Sequence, residues 1–195
     1  MSHATFVLSA AGASDFPRTG LPEIAMVGRS NVGKSTLINA LLKQKVARTS
    51  AAPGKTRLAN YYLVDDAYYL VDLPGYGYAR GGAESTQTFE TLTRQYFDPD
   101  GCPGRSVVGV LHLIDSRHPD LESDAAAHDW LHRIGLPVVV VATKMDKLTR
   151  AARTQHLRVL EGSYDTRVLP VSTLDGDGVD AVRRQVQTFL GANGV

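Results

Sequence analysis

The chain has one cysteine in 195 residues, Cys102, so no internal disulfide framework can form and a reducing compartment is expected. Its longest apolar candidates, residues 107–114 and 136–142, are strand-length and fall far short of the roughly 20 residues that a membrane span needs. No basic segment followed by an apolar one opens the chain, so no secretory signal is expected. The six histidines lack metal-ligand spacing, and they and Cys102 are read as structural or surface residues. Acid is missing from a long stretch: between Ile24 and Val64 there is no Asp or Glu, while Arg29, Lys34, Lys43, Lys45, Arg48, Lys55 and Arg57 supply seven positive charges. From Asp98 to Asp129 the balance reverses, with seven acids against Arg105 and Arg117. The net charge of +1 hides this asymmetry. A basic stretch of this kind serves bound phosphates or an anionic partner such as RNA, and charge alone leaves both readings open.

What is present is an alternation of apolar runs and turn signals through a length that suits one domain. Strands are expected at residues 23–27, 61–64, 68–72, 106–114, 137–142 and 167–171, with the second and third joined as an antiparallel hairpin through Asp65, Asp66 and Ala67. Helices are expected from residue 36 to about 44 and over 84–96, 121–134, 150–160 and 179–190. The fold class is therefore α/β: three layers, a mostly parallel six-stranded sheet with one antiparallel strand, and helices on both faces. Residues 1–21 read as an N-terminal lead-in with an edge element at 5–10, residues 22–190 as the main domain, and residues 191–195 as a frayed tail. Residues 74–83 carry four glycines and a proline and are expected to be mobile.

The most informative run is Gly28, Arg29, Ser30, Asn31, Val32, Gly33, Lys34 and Ser35, which matches G-x-x-x-x-G-K-[ST] between an expected strand and the expected helix that Thr36 opens, with Thr36 itself counted among the nucleotide-binding residues. Backbone N–H groups in such a loop curl around a β-phosphate, and the helix N-terminus adds favourable potential. Lys34 reaches β/γ-phosphate oxygens and the Ser35 hydroxyl ligates Mg²⁺. Asp72, Leu73, Pro74 and Gly75 close the second hairpin strand as D-x-x-G. Asp72 then holds Mg²⁺ through water, and the Gly75 N–H reports the γ-phosphate. Thr143, Lys144, Met145 and Asp146 form T-K-x-D directly after a strand. Asp146 accepts from the guanine N1–H and exocyclic amine, a donor pair that adenine lacks, and the Lys144 stem covers the base plane. Val171, Ser172 and Thr173 follow the last strand and offer a backbone N–H to guanine O6. Between phosphate loop and hairpin lie Gly54, Lys55, Thr56, Arg57 and Leu58, where Thr56 is the natural second hydroxyl ligand for Mg²⁺. Lys34, Thr56 and Gly75 are the candidate catalytic groups, and the expected ligands are GTP or GDP with Mg²⁺.

These motifs stand in the unpermuted order of Ras-like, translation-factor-class P-loop GTPases, and their wording resembles the EngB (YsxC/YihA) family of ribosome-biogenesis GTP-binding proteins. The resemblance rests on residues 22–35, on Pro53 to Thr56, on residues 72–79 with the run Gly75, Tyr76, Gly77, Tyr78, Ala79, on residues 113–118, and on Thr143 to Lys147. It extends over residues 22–190. It implies a cytoplasmic GTPase that assists assembly of the large (50S) ribosomal subunit, with rRNA and ribosomal proteins as partners and a link to cell division and septum formation. The chain is expected to be a monomer, away from membranes. A GTP-gated module that recruits a protein partner without RNA is the alternative.

Two departures stand out. Thr143 replaces the asparagine usual in GTPases, so Asp146 is expected to carry guanine selectivity. Tyr76 replaces the glutamine that often orients the attacking water, so hydrolysis is expected to be slow alone, on the order of 10⁻³ s⁻¹ or below. A partner or K⁺ near Asn31 then completes the site, although Asn31 also suits a tight loop turn. Residues 45–60 and 74–83, with Lys45, Arg48, Lys55, Arg57, Tyr76, Tyr78 and Arg80, are expected to form a basic, aromatic docking surface. Inward packing of the tyrosines is the competing arrangement.

Overall fold

The computed structural model describes residues 3–47, 58–76, 82–98, 103–164 and 166–192, with only the backbone for 82–89. Seven strands and five α-helices fall among the described residues, in the order β1 (Ala4–Ala10), β2 (Pro22–Gly28), α1 (Lys34–Leu42), β3 (Ala59–Val64), β4 (Tyr68–Asp72), α2 (Gly82–Phe97), β5 (Ser106–Asp115), α3 (Glu122–Arg133), β6 (Val138–Thr143), α4 (Arg150–Ser163), β7 (Val168–Pro170) and α5 (Val179–Gly191). One sheet holds all strands in the order β1-β3-β4-β2-β5-β6-β7. Only β3 runs against the rest, pairing antiparallel with both β1 and β4. The sheet thus has seven strands where six were expected. The edge element at residues 5–10 pairs along β3 from Ala4↔Val64 to Ala10↔Ala59 and becomes a full member. Within the lead-in, Phe16 is buried against Tyr61 and Tyr96.

Strand β2 is buried along its whole length because helices cover both sheet faces, which is why it reads as a nearly unbroken apolar run. Alternation along it sorts the core into two layers. Ile24 and Met26 join Leu37 of α1 and Val182 and Phe189 of α5. Ala25 and Val27 join Leu92 and Tyr96 of α2 and Leu131 of α3. A further cluster of Val140, Ala142, Leu160 and Tyr164 seats α4 on that second face. Gly109 in β5 is dictated by α5: a Cβ there would lie 2.5 Å from the Phe189 ring. The one acid in β2, Glu23, is neutralised by Arg105, whose Nε donates to Oε1 at 2.9 Å and Nη2 to Oε2 at 2.5 Å. The guanidinium also lies over the rings of Phe16 and Tyr96 at 4.6 and 4.4 Å.

The expected hairpin forms, and Asp65 and Asp66 take φ of 50° and 53°, a conformation that short polar side chains tolerate. Parallel pairing of β4, β2, β5, β6 and β7 brings the C-terminal ends of five strands to one rim. The loops leaving that rim carry every motif that falls on described residues, as expected of an open α/β sheet. Gly54, Lys55, Thr56 and Arg57, together with Arg48, Tyr78, Arg80 and Cys102, lie outside the described residues, as do positions 77–81 of the stretch expected to be mobile and positions 193–195 of the expected frayed tail.

Candidate functional site

The loop from Gly28 to Lys34 is shaped by what surrounds it. A Cβ at Gly28 would stand 2.7 Å from the Leu113 carbonyl oxygen, so only glycine lets the loop leave β2 beside β5. Asn31 and Gly33 adopt φ of 62° and 113°, which turns the chain back onto α1, and the Leu37 N–H donates to the Gly33 carbonyl at 2.9 Å to start the helix. Lys34 is buried, and its Nζ donates to the Gly28 carbonyl at 3.1 Å and the Arg29 carbonyl at 3.5 Å. Desolvation lowers its pKa, opposed by the nearby Asp72 carboxylate. Thr36 is exposed on the first turn of α1.

Ser35 Oγ donates to Asp72 Oδ2 at 2.9 Å. Asp72 is 2% exposed, and Oδ1 has no hydrogen-bond partner among the described residues. Burial raises its pKa, against the pull of Lys34 and Ser35. A buried carboxylate oxygen left open beside a hydroxyl is the oxygen-donor set that a hard divalent cation takes. The residues present therefore fit Mg²⁺.

On the other side of the rim, Thr143 Oγ1 lies 2.8 Å from the Val32 carbonyl and 3.1 Å from that of Ile114. Lys144, with φ of 60°, sends Nζ to the Asn31 carbonyl at 2.6 Å and to Asp115 Oδ2 at 2.8 Å. The loop after β6 and the phosphate loop are thus cross-braced through Val32 and Asn31. Met145 is buried beneath them, its N–H donating to the Val171 carbonyl at 3.2 Å. Burial opposes ionisation of Asp146, yet contacts from Lys147 and Ser172 hold its pKa below the usual value. Ser172 Oγ is 3.3 Å from Asp146 Oδ1.

The expectation of a base-recognising N–H among Val171, Ser172 and Thr173 narrows. The Val171 N–H donates to the Ala142 carbonyl and the Ser172 N–H to the Asp177 carbonyl, which leaves that of Thr173. Sequence reasoning gave Asp115 no role in the site. It accepts from Arg117 Nε and Nη2 at 2.9 and 2.7 Å and from Lys144. Burial works against its charge, but these bonds hold the carboxyl well below the usual carboxylate range. Its position among residues 113–118 was the available signal.

Leu73 and Pro74 are buried at the end of β4, and Leu58, exposed, stands just before β3. Gly75 presses against the phosphate loop, where a Cβ would lie 2.6 Å from the Ser30 nitrogen. Ser30 N–H donates to the Tyr76 carbonyl at 3.0 Å, and Arg29 forms a parallel bridge with Tyr76. The Tyr76 ring corrects the docking-surface expectation: it is 8% exposed, with its hydroxyl 2.8 Å from His112 Nε2 and 2.9 Å from Asp124 Oδ1. Burial first, then Asp124, pushes the phenol pKa up. It packs inward because two buried polar groups await its hydroxyl.

Residues 23–144 match the family described as 50S ribosome-binding GTPase. The probable GTP-binding protein EngB of Syntrophomonas wolfei is 41% identical over 180 residues, covering 91% of each chain. This chain belongs to the EngB family of GTP-binding proteins. The probable EngB of Pelotomaculum thermopropionicum is 44% identical over 161 residues, covering 82% of this chain and 79% of that one. The crystal structure of a probable EngB superposes with a TM-score of 0.72 over 87% of this chain and 99% of its own, at 21% identity, and speaks for the fold. As an EngB member the chain binds GTP and GDP and hydrolyses GTP. Among the described residues no helix is long and apolar enough to cross a membrane.

Proposed function

We propose that this chain is a cytoplasmic, monomeric, GTP-gated switch that assists assembly of the large (50S) ribosomal subunit and is linked to cell division and septum formation. The observation that carries the reading is kinship with EngB proteins and 50S ribosome-binding GTPases, in a chain whose residues 24–64 bear seven positive charges and no acid. The GTP-binding unit is residues 22–190. In it, Ser35 and Thr56 would hold Mg²⁺ directly and Asp72 through water, and when bound the ion would supply neutralising charge for the phosphates. Lys34 exchanges two backbone carbonyls for phosphate oxygens, and the Gly75 N–H reads the γ-phosphate. Asp146 takes the guanine N1–H and amine, and Thr173 the O6. With Tyr76 turned inward, no side chain at that position orients water, so hydrolysis is slow in the free protein.

Asn31, exposed on the loop, would help hold K⁺ beside the phosphates. Turnover is then faster in KCl than in NaCl at matched ionic strength, and equal rates would remove K⁺ from the reading. The main experiment is co-sedimentation with purified ribosomal subunits and assembly intermediates, with a non-hydrolysable GTP analogue, GDP or no nucleotide. Binding to large-subunit particles is expected with the analogue alone and declines steeply with salt. Absence of binding in every state would favour a protein partner without RNA.

A further inference from the structure

A buried polar cluster lies beneath the start of the glycine-rich stretch, and none of the motifs accounts for it. Tyr76, His112 of β5, and Asp124 and His128 of α3 are each less than a tenth exposed. Their hydrogen bonds fix the protons in order. The single phenolic proton goes to Asp124 Oδ1, so the Tyr76 oxygen accepts from a protonated His112 Nε2. His112 Nδ1 is then bare and accepts from His128 Nδ1, 3.4 Å away, with the two rings stacked at 5.6 Å. Both histidines are neutral in this arrangement, and burial depresses both their pKa values.

Tyr76 is therefore held twice. Its hydroxyl is sunk in this cluster, and its carbonyl takes the Ser30 N–H of the phosphate loop. Between those two anchors the backbone has little freedom, and Gly75 is the residue next to it. Gly75 sits tight against the phosphate loop, where even a Cβ would meet the Ser30 nitrogen at 2.6 Å and the Arg29 carbonyl carbon at 3.0 Å. We propose that His112 and Asp124 are positioning residues that act through Tyr76 to hold the Gly75 N–H where it meets the γ-phosphate of GTP. The residue standing in the usual glutamine position thereby serves discrimination between GTP and GDP in place of water orientation. This rests on the reading of Gly75 given above. The hydroxyl supplies the specificity of the device: a ring alone would fill the space without fixing the backbone's depth.

GDP has no γ-phosphate, so the latch is felt by GTP alone. The test is equilibrium binding of GDP and a non-hydrolysable GTP analogue, with Mg²⁺, to wild type, Tyr76→Phe, Asp124→Leu, Asp124→Asn and the Tyr76→Phe/Asp124→Leu pair. Tyr76→Phe is expected to weaken the analogue roughly five- to tenfold, with GDP changed less than about twofold. Asp124→Leu should match it and the pair should lose little more, since one network is broken once. Asp124→Asn keeps a carbonyl acceptor and should restore most of the analogue affinity. Equal losses for both nucleotides, or a Tyr76→Phe protein indistinguishable from wild type, would overturn the latch. Should Tyr76→Phe not fold, Asp124→Leu against Asp124→Asn makes the same comparison. A wild-type protein that binds neither nucleotide overturns the reading of the site and the latch together.

Discussion

At Asp146 the carboxylate stands in the loop after β6, with Oδ1 near Ser172 Oγ at 3.3 Å and Oδ2 near Lys147 Nζ at 3.1 Å. It is ionised at neutral pH and presents acceptors only. Guanine offers two donors to such a group, and Asp146→Asn would replace one acceptor with a donor that faces another donor. Affinity for GDP is expected to fall by at least about 100-fold, and xanthosine diphosphate, which carries an oxygen where guanine has its amine, to bind better than GDP. Competition binding against a fluorescent nucleotide measures both, and unchanged GDP affinity would place base recognition elsewhere. Thr143 belongs to the same scale. Its hydroxyl donates toward the Val32 and Ile114 carbonyls, so it braces the loop that carries Asp146.

Individual elements differ in how far the sequence announced them. Strands β2, β5 and β6 were legible because burial on both faces leaves largely apolar runs, and α5 because its buried residues Val179, Val182, Val186 and Phe189 fall three or four apart. The seventh strand was not counted, because the case for β1 lies in a pairing with β3, from Ala4↔Val64 to Ala10↔Ala59, and not in its own seven side chains. The phosphate loop, D-x-x-G and T-K-x-D were legible as local strings. What joins them was not. Asp115 reaches Lys144 across 29 residues because β5 and β6 pair Asp115 with Thr143. Tyr76 finds His112 and Asp124 across 36 and 48 residues, so a glycine-rich neighbourhood suggested exposure where the fold supplies burial.

The whole molecule inherits a pH dependence from the cluster under Tyr76. His112 is pushed down to about 3 and His128 to about 4 by burial, each with a smaller contribution from a neighbouring histidine. Asp124 is pushed up to about 6, again mainly by burial. Histidines held neutral in the fold bind protons more readily when unfolded, so their contribution is full above about pH 6.5 and is lost as pH falls toward 4. Asp124 acts in the opposite sense, favouring the fold at low pH and losing that contribution between about pH 4 and 6. Two histidines against one carboxyl leave about one proton taken up on unfolding, and stability falls by at most about 1.4 kcal/mol per pH unit on acidification. Denaturant melts at pH 7, 6 and 5 check this. His112→Gln should flatten the trend, and a flat wild-type profile would mean that these groups titrate normally. The margins of the sheet carry a different consequence. On one side β1 is broken in register between Phe6 and Leu8, and on the other β7 has three residues and ends in Pro170. Neither margin offers a straight, fully pairable backbone, so two copies at high concentration have no good line along which to zip together. Crowding this protein should therefore leave it dissolved rather than seed fibres.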